Sequence, residues 1–375
     1  MLKTTHGTPG AEDTLSIVVP TFREVGNIPT LAERIDAALA ETGIKWELLL
    51  VDDDSGDGSE EAVHELARRL PVRIVVRRDG PRDLSLAVLE GIRQCRFDRL
   101  VVMDADLSHP PERIADMLAD LARDCDMVIG SRYTLGGAVD RSWSLYRLLN
   151  SRLATWMARP LVDCADPMSG FFATRRSALP ELGGLRPMGY KIALELMVRG
   201  RLRVREIPID FHDRSVGSSK MNWRQQVRFL RHLSRLYDYR FGSMARIPSF
   251  SVVGASGLMV DLACYLGLQW AGVEHRLARF LSFWPAVSWN WALNRGFTYS
   301  GRERQPHLEQ WARFAASSVI GLGVNVGSYA LLTSYVALFG RHRLWAFFLG
   351  VALGSVVNFV VADLYVYRKL PPPER

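Results

Sequence analysis

At 375 residues the chain is too long for one ordinary core, and its apolar residues (48%) are unevenly spread. Residues 1–245 alternate apolar and charged segments, whereas 247–367 are dominated by apolar runs. The net charge of +7 is largely arginine, much of it between Arg199 and Arg246, which favours an anionic partner. The apolar last third makes that partner a lipid bilayer and argues against nucleic acid. Cys95, Cys125, Cys164 and Cys264 show no C-x-x-C spacing and no histidine companions, so they read as buried thiols, not a zinc site. The polar, Gly- and Pro-bearing residues 1–14 hold no apolar h-region, so they read as a flexible start and not as a cleaved signal peptide.

The apolar run Ser16-Ile17-Val18-Val19-Pro20 predicts a buried strand, followed by a helix over 28–41. A second strand over 46–51 ends in Asp52-Asp53-Asp54-Ser55-Gly56-Asp57-Gly58. A helix over 59–70, a strand over 72–76 and a helix over 85–94 lead to a strand over 99–103. A helix over 111–122 and a strand over 126–130, ending at Ser131-Arg132-Tyr133, complete the series. Strands and helices alternating at this spacing predict a mainly parallel α/β sheet with ligands at the carboxyl ends of its strands. Four polar clusters fall on that edge: 21–27, 52–58, 104–109 and 131–133.

Asp104 and Asp106 carry the sharpest chemical signal. Strand alternation predicts that they point the same way, forming a hard-oxygen site for Mg²⁺ or Mn²⁺ and a diphosphate. A lone D-x-D more often opens a solvated loop; three further clusters on the same edge argue for a site. Asp52 and Asp53 are placed to accept hydrogen bonds from a base or ribose, with Pro20, Phe22 and Glu24 lining a base pocket. The chain has no G-x-G-x-x-G after the first strand and no G-x-x-x-x-G-K-[ST], which excludes dinucleotide and P-loop readings.

Residues 223–246 predict an amphipathic linker helix. Trp223, Val227, Leu230 and Tyr237 form an apolar face beside an Arg224, Arg228, Arg231 and Arg235 stripe, as in helices of the membrane interface. A soluble helix with a solvated basic face is the alternative. Residues 143–161 read as a second interfacial helix. Four apolar segments, 250–272, 277–297, 314–339 and 344–366, are each long enough to cross roughly 30 Å of hydrocarbon. Their polar residues Asp261, Asn290, Asn294, Asn325, Asn358 and Asp363 are predicted to face one another inside the bundle. Arginines 295, 302, 304 and 313, and the basic tail, place both termini in the cytosol by the positive-inside rule. The region also repeats: Phe250, Gly257, Asp261 and Tyr265 recur as Phe314, Gly321, Asn325 and Tyr329, and Asn290 and Tyr299 as Asn358 and Tyr367. Two parallel helical hairpins would explain both offsets.

The motifs Val19-Pro20-Thr21-Phe22-x-Glu24-x-x-Asn27-Ile28, Val51-Asp52-Asp53-x-Ser55-x-Asp57-Gly58 and Met103-Asp104-Ala105-Asp106-Leu107-x-His109-Pro110 resemble glycosyltransferase family 2. With Gly130-Ser131-Arg132-Tyr133, Asp166-Pro167-Met168-Ser169-Gly170-Phe171, Gly189-Tyr190-Lys191 and Arg214-x-x-Gly217-x-Ser219-Lys220, they resemble its dolichol-phosphate (polyprenyl-phosphate) mannose synthases. Residues 247–370 resemble a GtrA-like four-span domain.

The resemblance implies a GT-A (nucleotide-diphospho-sugar transferase) domain over 15–222, and transfer of mannose from GDP-mannose to dolichyl or polyprenyl phosphate with inversion. It implies donor contacts from Pro20, Phe22, Glu24, Val51 and Asp53, with Lys191, Arg214 and Lys220 over the phosphates. Asp104, Ala105 and Asp106 would hold the diphosphate and metal, and Arg132, Arg147 and Ser151 the acceptor phosphate. On this reading Asp104, Asp106, Arg132 and Arg147 are the catalytic set, and His109 is structural. Ser108 stands where these enzymes usually have glutamine, a third metal ligand; Arg23 replaces asparagine, and Asp83 and Ser85 replace glycines. These departures leave a UDP-sugar donor, as in a UDP-glucose-type transferase, as the alternative. A protein that mainly translocates lipid-linked sugars is the reading from another class.

Overall fold

All strands of the main sheet except one run in the same direction, and the exception shapes the site. The computed structural model describes residues 14–139, 145–185, 191–211, 223–300, 302 and 305–367. The chain divides into two units, Met1–His232 and Leu233–Arg375.

In the first unit, β1 (Thr14–Thr21), α1 (Ile28–Leu39), β2 (Lys45–Asp52), α2 (Ser59–Leu66), β3 (Val72–Val76), α3 (Leu84–Gln94) and β4 (Arg99–Val102) follow the predicted order. Then come α4 (Ile114–Leu121), β5 (Met127–Ser131), β6 (Ala138–Val139), α5 (Leu145–Ala158), β7 (Phe172–Arg175), α6 (Ile192–Gly200), β8 (Val204–Pro208) and β9 (Asp210–Phe211). The seven-stranded sheet has the order β3-β2-β1-β4-β7-β5-β8, with β6 and β9 forming a short parallel ribbon. Strands before β1 in this order lie on one side and β4 on the other, so the direction of winding reverses between β1 and β4. That switch point opens a crevice at the strands' carboxyl ends.

The core explains why these segments take these forms. β1 and β2 are buried on both faces, as their unbroken apolar runs require. α1 buries Ile28, Leu31, Ala32, Ile35 and Leu39, one stripe at helical spacing. α3 lies so close to the sheet that a Cβ on Gly91 would overlap Val18 and reach Val51 Cγ2 at 3.1 Å. α5 exposes Leu149, Leu153 and Trp156 at spacings of four and three, an apolar stripe facing outward.

The sequence reading names no strand after 130. β7 was hidden because it pairs antiparallel with both β4 and β5, outside the βαβ rhythm. Strand alternation also fails as the reason for pairing Asp104 with Asp106. β4 ends at Val102, and both carboxylates sit in the loop beyond it.

α7 (Trp223–Phe241) leads into the second unit, which holds α8 (Arg246–Trp270), α9 (His275–Leu293), α10 (His307–Tyr335), α11 (Ala337–Arg341) and α12 (Arg343–Val361). α7 buries Leu233 and Leu236 and exposes Leu230. Among the described residues, three helices are long and apolar enough to cross a membrane, within Gln225–Trp270, His307–Tyr335 and Arg343–Val366. The expected second span, α9, is helical but is not one of them. Its 19 residues include Arg276, Arg279, Pro285, Ser288 and Asn290.

The repeat is realised in side-chain packing. The Asn290 amide of α9 packs against Gly257 of α8, and the Asn358 amide of α12 packs against Gly321 of α10; a Cβ on either glycine would overlap the amide. Each hairpin ends in a π-helical turn, Asn294–Thr298 and Ala362–Val366, closed by Tyr299 N–H to Asn294 O (2.8 Å) and Tyr367 N–H to Ala362 O (2.9 Å). The two tyrosines then stack, with centroids 4.1 Å apart and planes 6° from parallel. Arg246 pairs with Asp363 across the hairpins, and Arg302 reaches the same carboxylate at 3.2 Å.

Gly257→Leu and Gly321→Leu should each destabilise the second unit by about 1–3 kcal/mol through overpacking. Gly254→Leu, at an exposed position where an added Cβ meets nothing within 4 Å, should be neutral. Thermal unfolding of the detergent-solubilised protein reads the difference; equal melting temperatures for all three variants would refute the packing role.

Candidate active site

The loop after β4 is folded back on itself. Leu107 has a left-handed backbone (φ 63°), uncommon for a bulky residue and the means by which the chain turns sharply here. Asp106 is buried, and its Oδ1 accepts hydrogen bonds from the Ser108 hydroxyl (2.5 Å) and N–H (3.1 Å). Asp104 is more open, its side chain 30% exposed. Its N–H donates to His109 Nδ1 at 3.0 Å, and the imidazole stacks on Phe171 (5.2 Å) with Phe211 at its edge (5.7 Å). Burial keeps this imidazole's pKa low, although Asp104 and Asp106 pull the other way. A neutral ring with Nδ1 as acceptor fits a structural role for His109.

The antiparallel direction of β7 brings the residues before that strand, not after it, to this edge. Asp166 is fully buried there and holds Arg132 at the end of β5. Its carboxylate accepts Arg132 Nε (2.7 Å), Nη2 (2.8 Å) and the Arg132 backbone N–H (3.1 Å). The guanidinium also lies over the rings of Phe211 (5.3 Å) and Tyr133 (5.4 Å). Four residues along the same turn, Gly170 meets the first carboxylate: a Cβ there would sit 3.3 Å from Asp104 Oδ2. Lys191, which precedes α6, lies in the field of Arg132, Asp166 and Asp104. Burial, then repulsion from Arg132, pushes its ammonium down to about 7. The Tyr133 hydroxyl shares a 2.7 Å hydrogen bond with Ser151 Oγ of α5, and the Arg152 guanidinium lies over the Tyr133 ring.

A second group occupies the ends of β1 and β2. Asp52 is held by its own loop and by the end of β1: Oδ1 accepts Thr21 Oγ1 (3.1 Å) and Ser55 Oγ (2.5 Å), and Oδ2 accepts Ser55 N–H (2.7 Å). Asp53 pairs with Arg77 and accepts the Asp83 N–H at 2.9 Å. Burial raises its carboxyl above the ordinary range despite that arginine. Asp83 in turn caps α3, its Oδ1 accepting Ser85 N–H at 3.0 Å, which gives this departure from glycine a local reason. The half-exposed Phe22 ring carries the Arg23 and Arg82 guanidiniums at 5.3 and 4.9 Å. Glu24 Oε2 accepts the Asn27 amide at 2.6 Å.

The structure therefore gathers Asp104, Asp106, Ser108, Arg132 and Lys191 on one sheet edge, with Ser151 joined through Tyr133. Pro20, Val51 and Ala105 are buried in or beside the sheet. Arg214 and Lys220 lie outside the described residues, as does the Arg147 side chain, although Arg147 belongs to α5. No group of three or more His, Cys, Asp or Glu poised to hold a metal occurs among the described residues. Asp104 and Asp106 still offer hard oxygens of the kind Mg²⁺ and Mn²⁺ take alongside phosphate and water. The sequence reading assigned no role to Tyr133, Asp166 or Phe211. Asp166 was visible as the start of a motif, but its pairing across 34 residues was not.

The family model described as "Glycosyl transferase family 2" matches residues 16–183, and "GtrA/DPMS, transmembrane domain" matches 249–367. A dolichol-phosphate mannosyltransferase of Pyrococcus furiosus is 35% identical over 356 residues, 92% of this chain and 97% of the relative. The dolichol-phosphate mannosyltransferase of Saccharomyces cerevisiae is 39% identical over 238 residues, 61% of this chain and 88% of that one. A crystal structure of glucosyl-3-phosphoglycerate synthase from Mycobacterium tuberculosis with Mn²⁺, UDP-glucose and phosphoglyceric acid is 18% identical, with a TM-score of 0.47, covering 63% of this chain and 87% of that one. With the sheet and its carboxyl-edge site in one half and the matched transmembrane domain in the other, the chain is a membrane glycosyltransferase and belongs to family 2 alongside the dolichol-phosphate mannosyltransferases.

Proposed function

We propose that the chain transfers mannose from GDP-mannose to a dolichyl or other polyprenyl phosphate, with inversion at the anomeric carbon. One observation carries the reading: a single turn before β7 holds Arg132 through Asp166 and packs beside the Asp104 carboxylate through Gly170, with Lys191 in the electrostatic field of all three charged groups. The names of relatives that align over nearly their whole length support mannose and dolichyl phosphate as substrates.

Two anionic reactants must be brought together here. A phosphate monoester has a second pKa near ~6, so at neutral pH it is already an anionic nucleophile and no general base is required. Positioning and charge compensation are what remain for the protein. Arg132, with Arg147 and Ser151, receives the acceptor phosphate. Lys191 faces the donor phosphates, joined by Arg214 and Lys220. Phe22, Glu24 and Asp53 take the nucleoside. Asp104 and Asp106 would hold Mg²⁺ or Mn²⁺, which when bound neutralises charge on the departing diphosphate. Ser108 contributes indirectly, by orienting Asp106 through Oδ1.

The exposed Leu149, Leu153 and Trp156 of α5 would rest in the membrane interface, where a polyprenyl phosphate presents its headgroup. We place four helices across the bilayer, α9 included, because the repeat pairs α8–α9 with α10–α12. The arginine distribution puts the catalytic domain and both termini in the cytosol.

Transfer from GDP-mannose should exceed transfer from UDP-glucose by at least tenfold, on the order of ~1.4 kcal/mol in kcat/KM. It should cease in EDTA and return with Mn²⁺ or Mg²⁺. A preference for UDP-glucose would replace the donor, and full activity in EDTA would remove the metal. Asp104→Asn should cost roughly 10²–10³ in kcat, read in the same assay.

Lys191 gives a pH signature. With its ammonium down at about 7, the free protein carries a largely neutral Lys191 at higher pH. An arriving diphosphate favours the charged form, so donor binding near about pH 8.5 should take up close to one proton. Calorimetry in buffers of different ionisation enthalpy measures that uptake. Lys191→Arg, charged throughout, should abolish it; absence of uptake in the wild type would contradict the assignment.

A further inference from the structure

We propose that Asp166 is the positioning residue of the acceptor side: it fixes the plane and direction of the Arg132 guanidinium, and so the line along which the acceptor phosphate meets the donor. This rests on the reading of Arg132 as a cation for the acceptor phosphate. A guanidinium on a flexible side chain has many orientations. Arg132 is limited to one by a two-point contact with Asp166 through Nε and Nη2, with its own backbone N–H on the same carboxylate. Its remaining N–H donors then point in a direction set by Asp166.

Asp166 is itself anchored. The N–H groups of Ala165 and Asp166 donate to Glu206 Oε2 (2.8 Å) and Oε1 (3.1 Å) on β8. Ser169 Oγ donates to Gly130 O at 2.7 Å, tying the other end of the turn to β5. The same turn reaches the donor side, because Gly170 packs beside the Asp104 carboxylate. One rigid segment of five residues thus touches the cation for the acceptor and the carboxylate beside the donor, and fixes their separation. A general base would need its carboxylate turned toward the nucleophile. Both Asp166 oxygens are engaged with the Arg132 side chain. Charge adds a second reason for the pairing: Arg132 repels the Lys191 ammonium, and Asp166 offsets that charge before either anionic substrate arrives.

Acceptor-dependence kinetics on the full-length protein, with polyprenyl phosphate in detergent micelles and saturating GDP-mannose, test this. Arg132→Ala comes first: a rise of about tenfold or more in acceptor KM upholds the reading on which the inference rests, and an unchanged KM removes that reading whatever Asp166 does. With Arg132 so placed, Asp166→Asn should also raise acceptor KM by about tenfold, change kcat by less than about threefold and leave the shape of the kcat–pH profile unaltered. The double variant should be no worse than Arg132→Ala alone, since both remove one unit. An unchanged KM in Asp166→Asn, additive losses in the double variant, or a loss confined to kcat with the acid limb of the profile gone would overturn the proposal. The last would mark a base. If Asp166→Asn does not fold, Glu206→Gln carries the test, because it loosens the turn while leaving the Arg132 pair intact. A several-fold rise in acceptor KM supports the inference, and no change overturns it.

Discussion

The buried pair of Arg132 and Asp166 is the interaction on which the catalytic edge depends. A guanidinium desolvated beside a second cation would be costly without a partner, and a fully buried carboxylate equally so. Paired, they cost little and gain direction. The pair is possible because β7 runs against its neighbours and delivers the turn before it to the carboxyl edge. The parallel strands deliver only the segments beyond their carboxyl ends: the Phe22 loop, the Asp53 loop, the Asp104 loop and Arg132 itself. Arg132 and its partner Asp166 therefore come from opposite ends of two strands, β5 and β7, that lie next to one another.

Much of this was legible in the sequence, for a definite reason. A strand buried on both faces must be continuously apolar, so β1, β2, β4 and β5 are visible as runs that break into polar clusters where the sheet ends. Clusters on a common edge then imply a site without knowledge of any contact. Legibility ends where structure depends on long-range pairing. β7 lies outside the βαβ rhythm, and nothing local to Asp166 says that its partner is Arg132. Asp104 and Asp106 were expected to share a direction through strand pleat, but both lie in the loop beyond β4. The left-handed backbone of Leu107, the Ser108 cap on Asp106 and the His109 contact to the Asp104 backbone shape that loop instead.

The second unit shows the opposite balance. Its offsets of 64 and 68 residues are visible by eye, and the structure gives several of the matched positions a physical task. Glycine makes room for an asparagine amide in both hairpins, and the two repeat tyrosines end stacked on each other. The duplication is not complete. Asp261 of the first hairpin pairs with Arg279 and accepts the Ser282 hydroxyl (2.6 Å), where the second hairpin has Asn325 packed against Gly350. The first hairpin is the more polar, and α9, which carries Arg276, Arg279, Pro285, Ser288 and Asn290, lacks the apolar length of the other three.

If positioning and charge do the work, and the acceptor phosphate is itself the nucleophile, the sugar is displaced once and its anomeric configuration inverts. That consequence is measurable on the product. With GDP-α-mannose labelled with ¹³C at C1, the one-bond C1–H1 coupling of the purified lipid-linked sugar reports its anomer directly. A β-linked product is expected. An α-linked product would mean either two displacements through a protein nucleophile or attack from the face of the departing diphosphate, and would contradict the central claim of a single in-line displacement by the acceptor phosphate.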